Sequence, residues 1–232
     1  MYTINDVFDK VYLINLEKDT DKYQIMKNKL DNLNITFELF RAIDGNNLND
    51  CKLLTFGNKG AVGCKMSHME IIKSAKRNNY SNILILEDDI YFWNTFNERF
   101  NSLYENLMNI DKNWKLLYFG ASNRPGQKHI NFTQSNQSVY KIGSKFITGA
   151  YAVGYDSSIY DIILNSECDN RPYDDIVGND IKENNYIFFP YLIHPDVNKV
   201  SNTCNNKQYK PGSTLVQEKY NKLNYIEDEN YM

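Results

Sequence analysis

The sequence predicts an α/β fold built on a mostly parallel sheet. Two observations carry that expectation. Between residues 11 and 120, short apolar runs of strand length alternate with segments whose apolar residues recur at a helical period. Two of the runs, ILIL (83–86) and KLLYFG (115–120), are continuously apolar at their centres, as expected for strands covered on both faces.

The elements follow in order. VYLINL (11–16) reads as the first strand. The segment after it places Tyr23, Ile25, Met26, Leu30 and Leu33 near a helical period, with Asp19 or Thr20 available to cap its start. ITFELF (35–40) is the second strand, and Asp44-Gly45 marks a turn before a polar, irregular stretch to about residue 58. A helix is expected over 63–75, with Met66, Met69, Ile72 and Ala75 on one face. The strand in SNILILEDD (81–89) ends abruptly in three acids. A helix over 95–110 and the strand 115–120 come next. Residues 121–137 read as a loop, followed by short strands in SVYKI, KFITG and AYAVG. Helices are expected over 156–165 and about 174–184, and YIFFPYLI (186–193) is a last apolar run. No internal repeat or linker divides the chain, so residues 1–200 are expected to form one domain. Residues 201–232 are polar, and are expected to form a flap or a partly disordered tail.

Composition excludes several classes of function. Twenty-six Lys and Arg against 29 Asp and Glu give a net charge of −3, which supplies no basic excess for a nucleic-acid backbone. No apolar run is long enough to span a bilayer. The opening MYTINDVFDK lacks the basic and apolar regions of a secretory signal, so a cytoplasmic location is expected. The four cysteines, Cys51, Cys64, Cys168 and Cys204, include no pair at CxxC spacing. That argues against a zinc ribbon and for reduced thiols.

Four features could carry chemistry. Glu87-Asp88-Asp89 end the ILIL strand, where open α/β sheets bind ligands. Clustered carboxylates repel one another unless a cation sits between them, and hard oxygen donors suit Mg²⁺ or Mn²⁺. The bland alternative is a solvated strand end. GCKMSH (63–68) places Ser67 and His68 near a helix start, as cap and packing residues or as ligand contacts. Asp174-Asp175 form a second carboxylate pair, either a general base or a helix cap. His194 ends YLIHP, and is structural unless a metal lies nearby.

Taken together these segments resemble glycosyltransferase family 25, which includes bacterial lipopolysaccharide sugar transferases and collagen galactosyltransferases. VYLINLEKDTDKY resembles the family's opening block, and FELFRAIDG its second strand ending in Ala-x-Asp-Gly. GAVGCKMSHMEIIKSA and ILILEDDI resemble its central block. ITGAYAVGYDSSIYDIIL and RPYDD resemble its later strand, helix and Pro-x-Asp. The similarity departs at Lys18 and Lys22, where the family usually carries arginines. Lysine keeps the charge but not the bidentate phosphate geometry.

The resemblance implies a GT-A fold, a single Rossmann-like nucleotide-binding sandwich that uses a metal and a UDP-sugar. Glu87-Asp88-Asp89 would stand in for the family's acidic metal motif, with Asp89 and Glu87 on Mn²⁺. Asn15 and Leu16 would hold the uracil and ribose, with Lys65, Ser67, His68, Glu87 and Asp88 around the donor. A more distant fold relative, the collagen glucosyltransferase domain of lysyl hydroxylases, has an Asp pair and a late metal-binding His that resemble Asp174-Asp175 and His194. They would supply the catalytic carboxylate and a third metal ligand.

The implied activity is transfer of a hexose, glucose or galactose, to a hydroxyl acceptor. That acceptor would be hydroxylysine or galactosyl-hydroxylysine of a collagen-like protein, or a glycan. The alternative is a non-catalytic sugar-nucleotide-binding domain of the same fold. A nucleotidyltransferase would want a glycine-rich phosphate loop after the first strand, and LINLEKDTDK has no glycine.

Overall fold

The computed structural model describes residues 1–48, 58–93, 95–123, 138–143, 147–189 and 191–196. Its main sheet contains β1 (Lys10–Asn15), β2 (Glu38–Arg41), β3 (Asn82–Leu86), β5 (Leu116–Asn123), β6 (Ser138–Ile142), β7 (Ile147–Asp156) and β8 (Asn185–Phe189). β4 (Ile90–Phe92) and β9 (Ile193–Pro195) pair separately. The helices are α1 (Ile4–Val7), α2 (Thr20–Asn32), α3 (Lys59–Arg77), α4 (Phe96–Ile110), α5 (Tyr160–Leu164) and α6 (Tyr173–Asp180).

The strand order is β2-β1-β3-β7-β5-β8-β6. β1 runs parallel to β2 and β3, and β5 runs parallel to β8. β7 is antiparallel to both β3 and β5, and β6 is antiparallel to β8. Five strands therefore share one direction and β6 and β7 oppose it, so the sheet is mixed but mostly parallel. This is a Rossmann-like α/β architecture consistent with the GT-A fold, and it gathers the carboxyl ends of β1, β2 and β3 at one edge.

The two faces of the sheet explain the continuous apolar runs. Alternate residues of a strand point to opposite faces. Leu84 and Leu86 join Leu13, Leu117 and Phe119 in a cluster packed with Met26 and Leu30 of α2 and Phe96, Phe100 and Leu103 of α4. Ile83 and Ile85 face the other way, with Tyr118 and Val153, against Met69 and Ile72 of α3 and Ile176 and Val177 of α6. All four residues of ILIL are at most 1% exposed. Burial of each such side chain stabilises the fold by about 1.5–3 kcal/mol.

Several boundaries differ from the sequence-based expectation. α3 starts four residues before Gly63, because the Asn58 side chain accepts from the Gly60 and Ala61 amides and caps it. The expected helix 156–165 divides into a 3-10 turn (Ser157–Ile159) and α5, and α6 stops at Asp180 rather than about 184. KFITG and AYAVG do not form two strands, since β7 runs unbroken from Ile147 through Asp156. Residues 121–123, expected in a loop, continue β5, while 124–137 lie outside the described residues. The 186–193 run is shared between the two sheets. The segment expected to be a tail, 201–232, lies outside the described residues.

That last crossing matters for the site. The chain after β8 passes directly over β5 at Gly120, where a Cβ would fall 2.0 Å from the Ile193 carbonyl oxygen. The Leu192 amide donates to Phe119 O (2.8 Å), and the Asp196 amide donates to Asp89 O (2.6 Å). β9 is thereby brought to the segment that follows β3.

Candidate active site

A cleft opens at the carboxyl ends of β1, β2 and β3. It is lined by the end of β1 (Ile14–Leu16), Lys18, Lys22, the turn after β2 (Ala42–Asn46), one side of α3, and Glu87–Asp89. One wall is fixed by backbone contact. A Cβ at Gly45 would lie 1.7 Å from the Lys59 carbonyl oxygen, and one at Gly63 would lie 2.3 Å from Ile43 O and 2.7 Å from Gly45 N. Neither position can carry a side chain without moving the turn or α3. Ser67 completes the lock: its hydroxyl donates to Gly63 O (2.7 Å) and accepts from the Ile43 amide (2.9 Å). The Ala-x-Asp-Gly and Gly-Cys-x-x-Ser-His segments are thus two halves of one joint. Sequence reasoning read Ser67 as a ligand contact or cap and missed this role. The glycines were the available signal.

The acids form the opposite wall. The Glu87 amide donates to Tyr151 O (2.9 Å), which holds the chain on β7 as it leaves β3. Asp88 accepts from Asn15 Nδ2 (2.7 Å) and from Lys22 Nζ (3.3 Å). Burial pushes the Asp88 carboxyl above its usual range, although Lys22 and Asn15 pull it down. Burial also works against the Lys22 ammonium, but Asp88 and Asp89 outweigh it and hold its pKa above the ordinary value. Both amide hydrogens of Asn15 are engaged, since Nδ2 also donates to Asp19 O (3.0 Å).

Glu87 is pushed well above the normal carboxyl range by burial first, then by Asp89, Asp174 and Asp88. The first turn of α6 therefore brings Asp174 within electrostatic reach of Glu87. His68 helps to place it. Its ring stacks on Tyr173, the neighbour of Asp174, at 4.2 Å and 21°. Burial lowers the His68 pKa to about 3, so the imidazole is neutral at ordinary pH. Its Nδ1 has no hydrogen-bond partner among the described residues.

Other predicted site residues sit elsewhere. Lys65 does not line the cleft: it is 6% exposed and its ammonium binds the Asp169 carbonyl. There it helps Arg171, paired with Asp169 and Asp180, to brace the loop that leads into α6. Asp175 shares the first turn of α6 with Asp174 and is not part of the cleft lining. His194 lies in β9 opposite Tyr91, near the Tyr191 ring, and burial lowers its pKa to about 4. Trp93, just after β4, is 4% exposed; its indole N–H donates to Tyr191 O and Arg99 covers its face.

Two overlapping sets of donors could hold a cation. The Glu87 carboxyl lies within electrostatic reach of Asp89 and Asp174. One ligand atom each from Cys64, His68 and Glu87 also lie within 4.8 Å of one another. The thiol of Cys64 was missed by sequence reasoning, because its cleft-facing placement follows from the α3 joint rather than from cysteine spacing.

The model of glycosyltransferase family 25 (LPS biosynthesis protein) matches residues 8–151, which contain every residue that lines this cleft but not Asp174. The chain belongs to glycosyltransferase family 25. A glycosyltransferase 25 family member of Aedes aegypti is 33% identical over 126 residues, covering 47% of this chain and 21% of the relative. Procollagen galactosyltransferase 1-B of Xenopus laevis is 33% identical over 129 residues, 49% of this chain and 21% of that protein. A rat protein named as a probable inactive glycosyltransferase 25 family member 3 is 27% identical over 129 residues, 49% of this chain and 23% of its own length. The family 25 chain therefore spans about a fifth to a quarter of the curated relatives it matches. No helix among its described residues is long and apolar enough to cross a membrane.

Proposed function

We propose that this family 25 chain is a metal-dependent hexosyltransferase. It moves glucose or galactose from a UDP-sugar to a hydroxyl group. The acceptor is hydroxylysine or galactosyl-hydroxylysine of a collagen-like protein, or a glycan. The observation that carries the reading is the cluster of Glu87, Asp89 and Asp174 at the edge of a cleft lined by Lys18 and Lys22. Such self-repelling carboxylates fit a divalent cation, and their oxygens suit Mn²⁺.

In this account Glu87 and Asp89 would hold Mn²⁺, and His194, outside the cleft lining but on the β9 segment that the Asp196–Asp89 backbone bond brings to the end of β3, would be the third ligand. When bound, the ion neutralises the UDP diphosphate as a leaving group. The chain's own residues do the rest. Lys18 and Lys22 make the cleft attractive to phosphate. Asn15 acts through Asp88 and the Asp19 carbonyl, fixing the turn after β1, so that the Leu16 backbone meets the nucleoside. Asp174 or Asp175 accepts the proton of the attacking acceptor hydroxyl if configuration inverts. With retention, that carboxylate positions the acceptor.

The test is UDP release from UDP-glucose, UDP-galactose, UDP-N-acetylglucosamine and UDP-xylose. Each is assayed with Mn²⁺ or EDTA, and with or without a galactosyl-hydroxylysine peptide. Release from one hexose donor that needs Mn²⁺ is the expected result, and stimulation by the peptide selects the collagen branch. Equal release in EDTA would remove the metal role.

The inactive name of one relative, together with Lys18 and Lys22, favours a second reading as a non-catalytic sugar-nucleotide-binding domain. Donor binding by calorimetry without turnover would select it.

A further inference from the structure

We propose that Cys64, His68 and Glu87 form a binding site for a thiophilic divalent cation of the Zn²⁺ type. Residues 64 and 68 stand four apart on α3, so they share one face of the helix. The Gly45–Gly63 backbone contact fixes α3 against the turn after β2. Glu87 leaves β3 directly opposite, and the three donor atoms lie within 4.8 Å of one another. Zinc bonds of about 2.0–2.3 Å at tetrahedral angles place two ligands of one ion about 3.3–3.8 Å apart, so side-chain rotations that move the donors by about an ångström suffice.

A sulfur, a nitrogen and an oxygen donor are a borderline-soft set, unlike the all-oxygen environment that magnesium or calcium prefers. All three residues line the cleft, which leaves a fourth position open to water or ligand. His68 supplies the independent observation. It is 2% exposed, yet its Nδ1 has no hydrogen-bond partner among the described residues. A buried imidazole nitrogen without a partner is costly unless something binds it. Binding converts the Cys64 thiol to a metal-bound thiolate and releases one proton to solvent.

This inference rests on the ligand atoms and does not require sugar transfer. It has a consequence for the proposed activity, because Glu87 is shared. A thiophilic ion and Mn²⁺ would compete, and Zn²⁺ would displace the activating ion.

The experiment titrates the metal-free full chain with Co²⁺, a spectroscopic stand-in for Zn²⁺, and then with Zn²⁺. The expected result is a near-ultraviolet thiolate-to-cobalt charge-transfer band that vanishes in Cys64→Ser, where the other three cysteines remain. Zn²⁺ affinity should fall roughly 10–100-fold or more in that variant. Co²⁺ binding without the band, or a band unchanged in Cys64→Ser, would overturn the proposal. Alkylation of Cys64 in the wild-type chain, followed by mass spectrometry, covers the case in which the variant fails to fold. Stoichiometric Zn²⁺ should protect Cys64, and an unchanged alkylation rate would overturn the proposal equally. Neither readout depends on turnover, so a chain that transfers no sugar can still pass both.

Discussion

Residues 83–86 and 87–89 are adjacent in sequence and opposite in physics. In the first segment every side chain is apolar, fully packed, and matched to a helix on its own side of the sheet. In the second, three carboxyl groups crowd the cleft; burial raises both Glu87 and Asp88 from their ordinary pKa values, and repulsion from Asp89, Asp174 and Asp88 raises Glu87 further. One strand thus provides stability along its length and strain at its end. Asp88 has its charge answered by Lys22 and Asn15. The stable part of β3 lets its end hold crowded carboxyl groups that, under the proposed function, a cation would relieve.

Substitutions can break this contrast, and the largest effect is expected at its reactive end. Asp89→Ala should lower Mn²⁺-dependent transfer by roughly 100-fold or more, a loss typical of charge-stabilising groups. Its thermal unfolding should be nearly unchanged. Normal turnover would take Asp89 out of the site. At the packed end, Leu84→Ala should cost about 2–5 kcal/mol in chemical denaturation, since it opens a cavity between the sheet and α4. A smaller loss would mean that this face collapses to fill the space.

The joint between the two motif segments comes next. Gly63→Ala should cost about 1–3 kcal/mol, because its Cβ meets the Ile43 carbonyl and the Gly45 amide rather than a flexible side chain. A neutral result in the same denaturation assay would show that α3 shifts freely against the turn.

The smallest effect is in the pH profile. His68 and His194 are held neutral by burial, with folded pKa values of about 3 and about 4. Unfolding frees each to protonate near 6.5. The unfolded chain then binds protons that the folded chain cannot. Stability is full above about pH 6.5 and declines as pH falls toward the folded values, by about 1 kcal/mol per imidazole between pH 7 and 5.5. Glu87 works in the opposite direction, because its raised folded pKa favours the native state on acidification. Denaturation midpoints in a Glu87→Gln, Asp88→Asn background, which removes both raised carboxyls, isolate the two imidazoles, and a flat profile there would mean that they are solvated.

Much of this contrast was legible in the sequence. ILIL followed by EDD declares a buried strand that ends in charge, and the alternation of strands and helices declares the sheet. What was not legible depends on tertiary contact. Gly45 and Gly63 are 18 residues apart, and only the fold brings their backbones into contact. The family resemblance places Lys65 beside the donor, but the helical period turns it toward the Asp169 loop. Asp174 reads like a helix cap, and it reaches Glu87 because Tyr173 stacks on His68. KFITG and AYAVG read as separate short strands, and β7 runs from one into the other. Gly154 is required by the close approach of the Phe8 ring.

The central claim is that the end of β3 is destabilised by its own charge and relieved by a cation. Thermal unfolding of wild type and Glu87→Gln, each with and without Mn²⁺ at neutral pH, tests it most directly. The neutral amide removes repulsion from Asp88, Asp89 and Asp174, so the metal-free variant should melt roughly 2–4 °C above the metal-free wild type. Mn²⁺ should raise the wild-type midpoint and leave the variant unmoved. A metal-free variant that melts at or below the wild type, or an equal Mn²⁺ shift in both, would contradict the account.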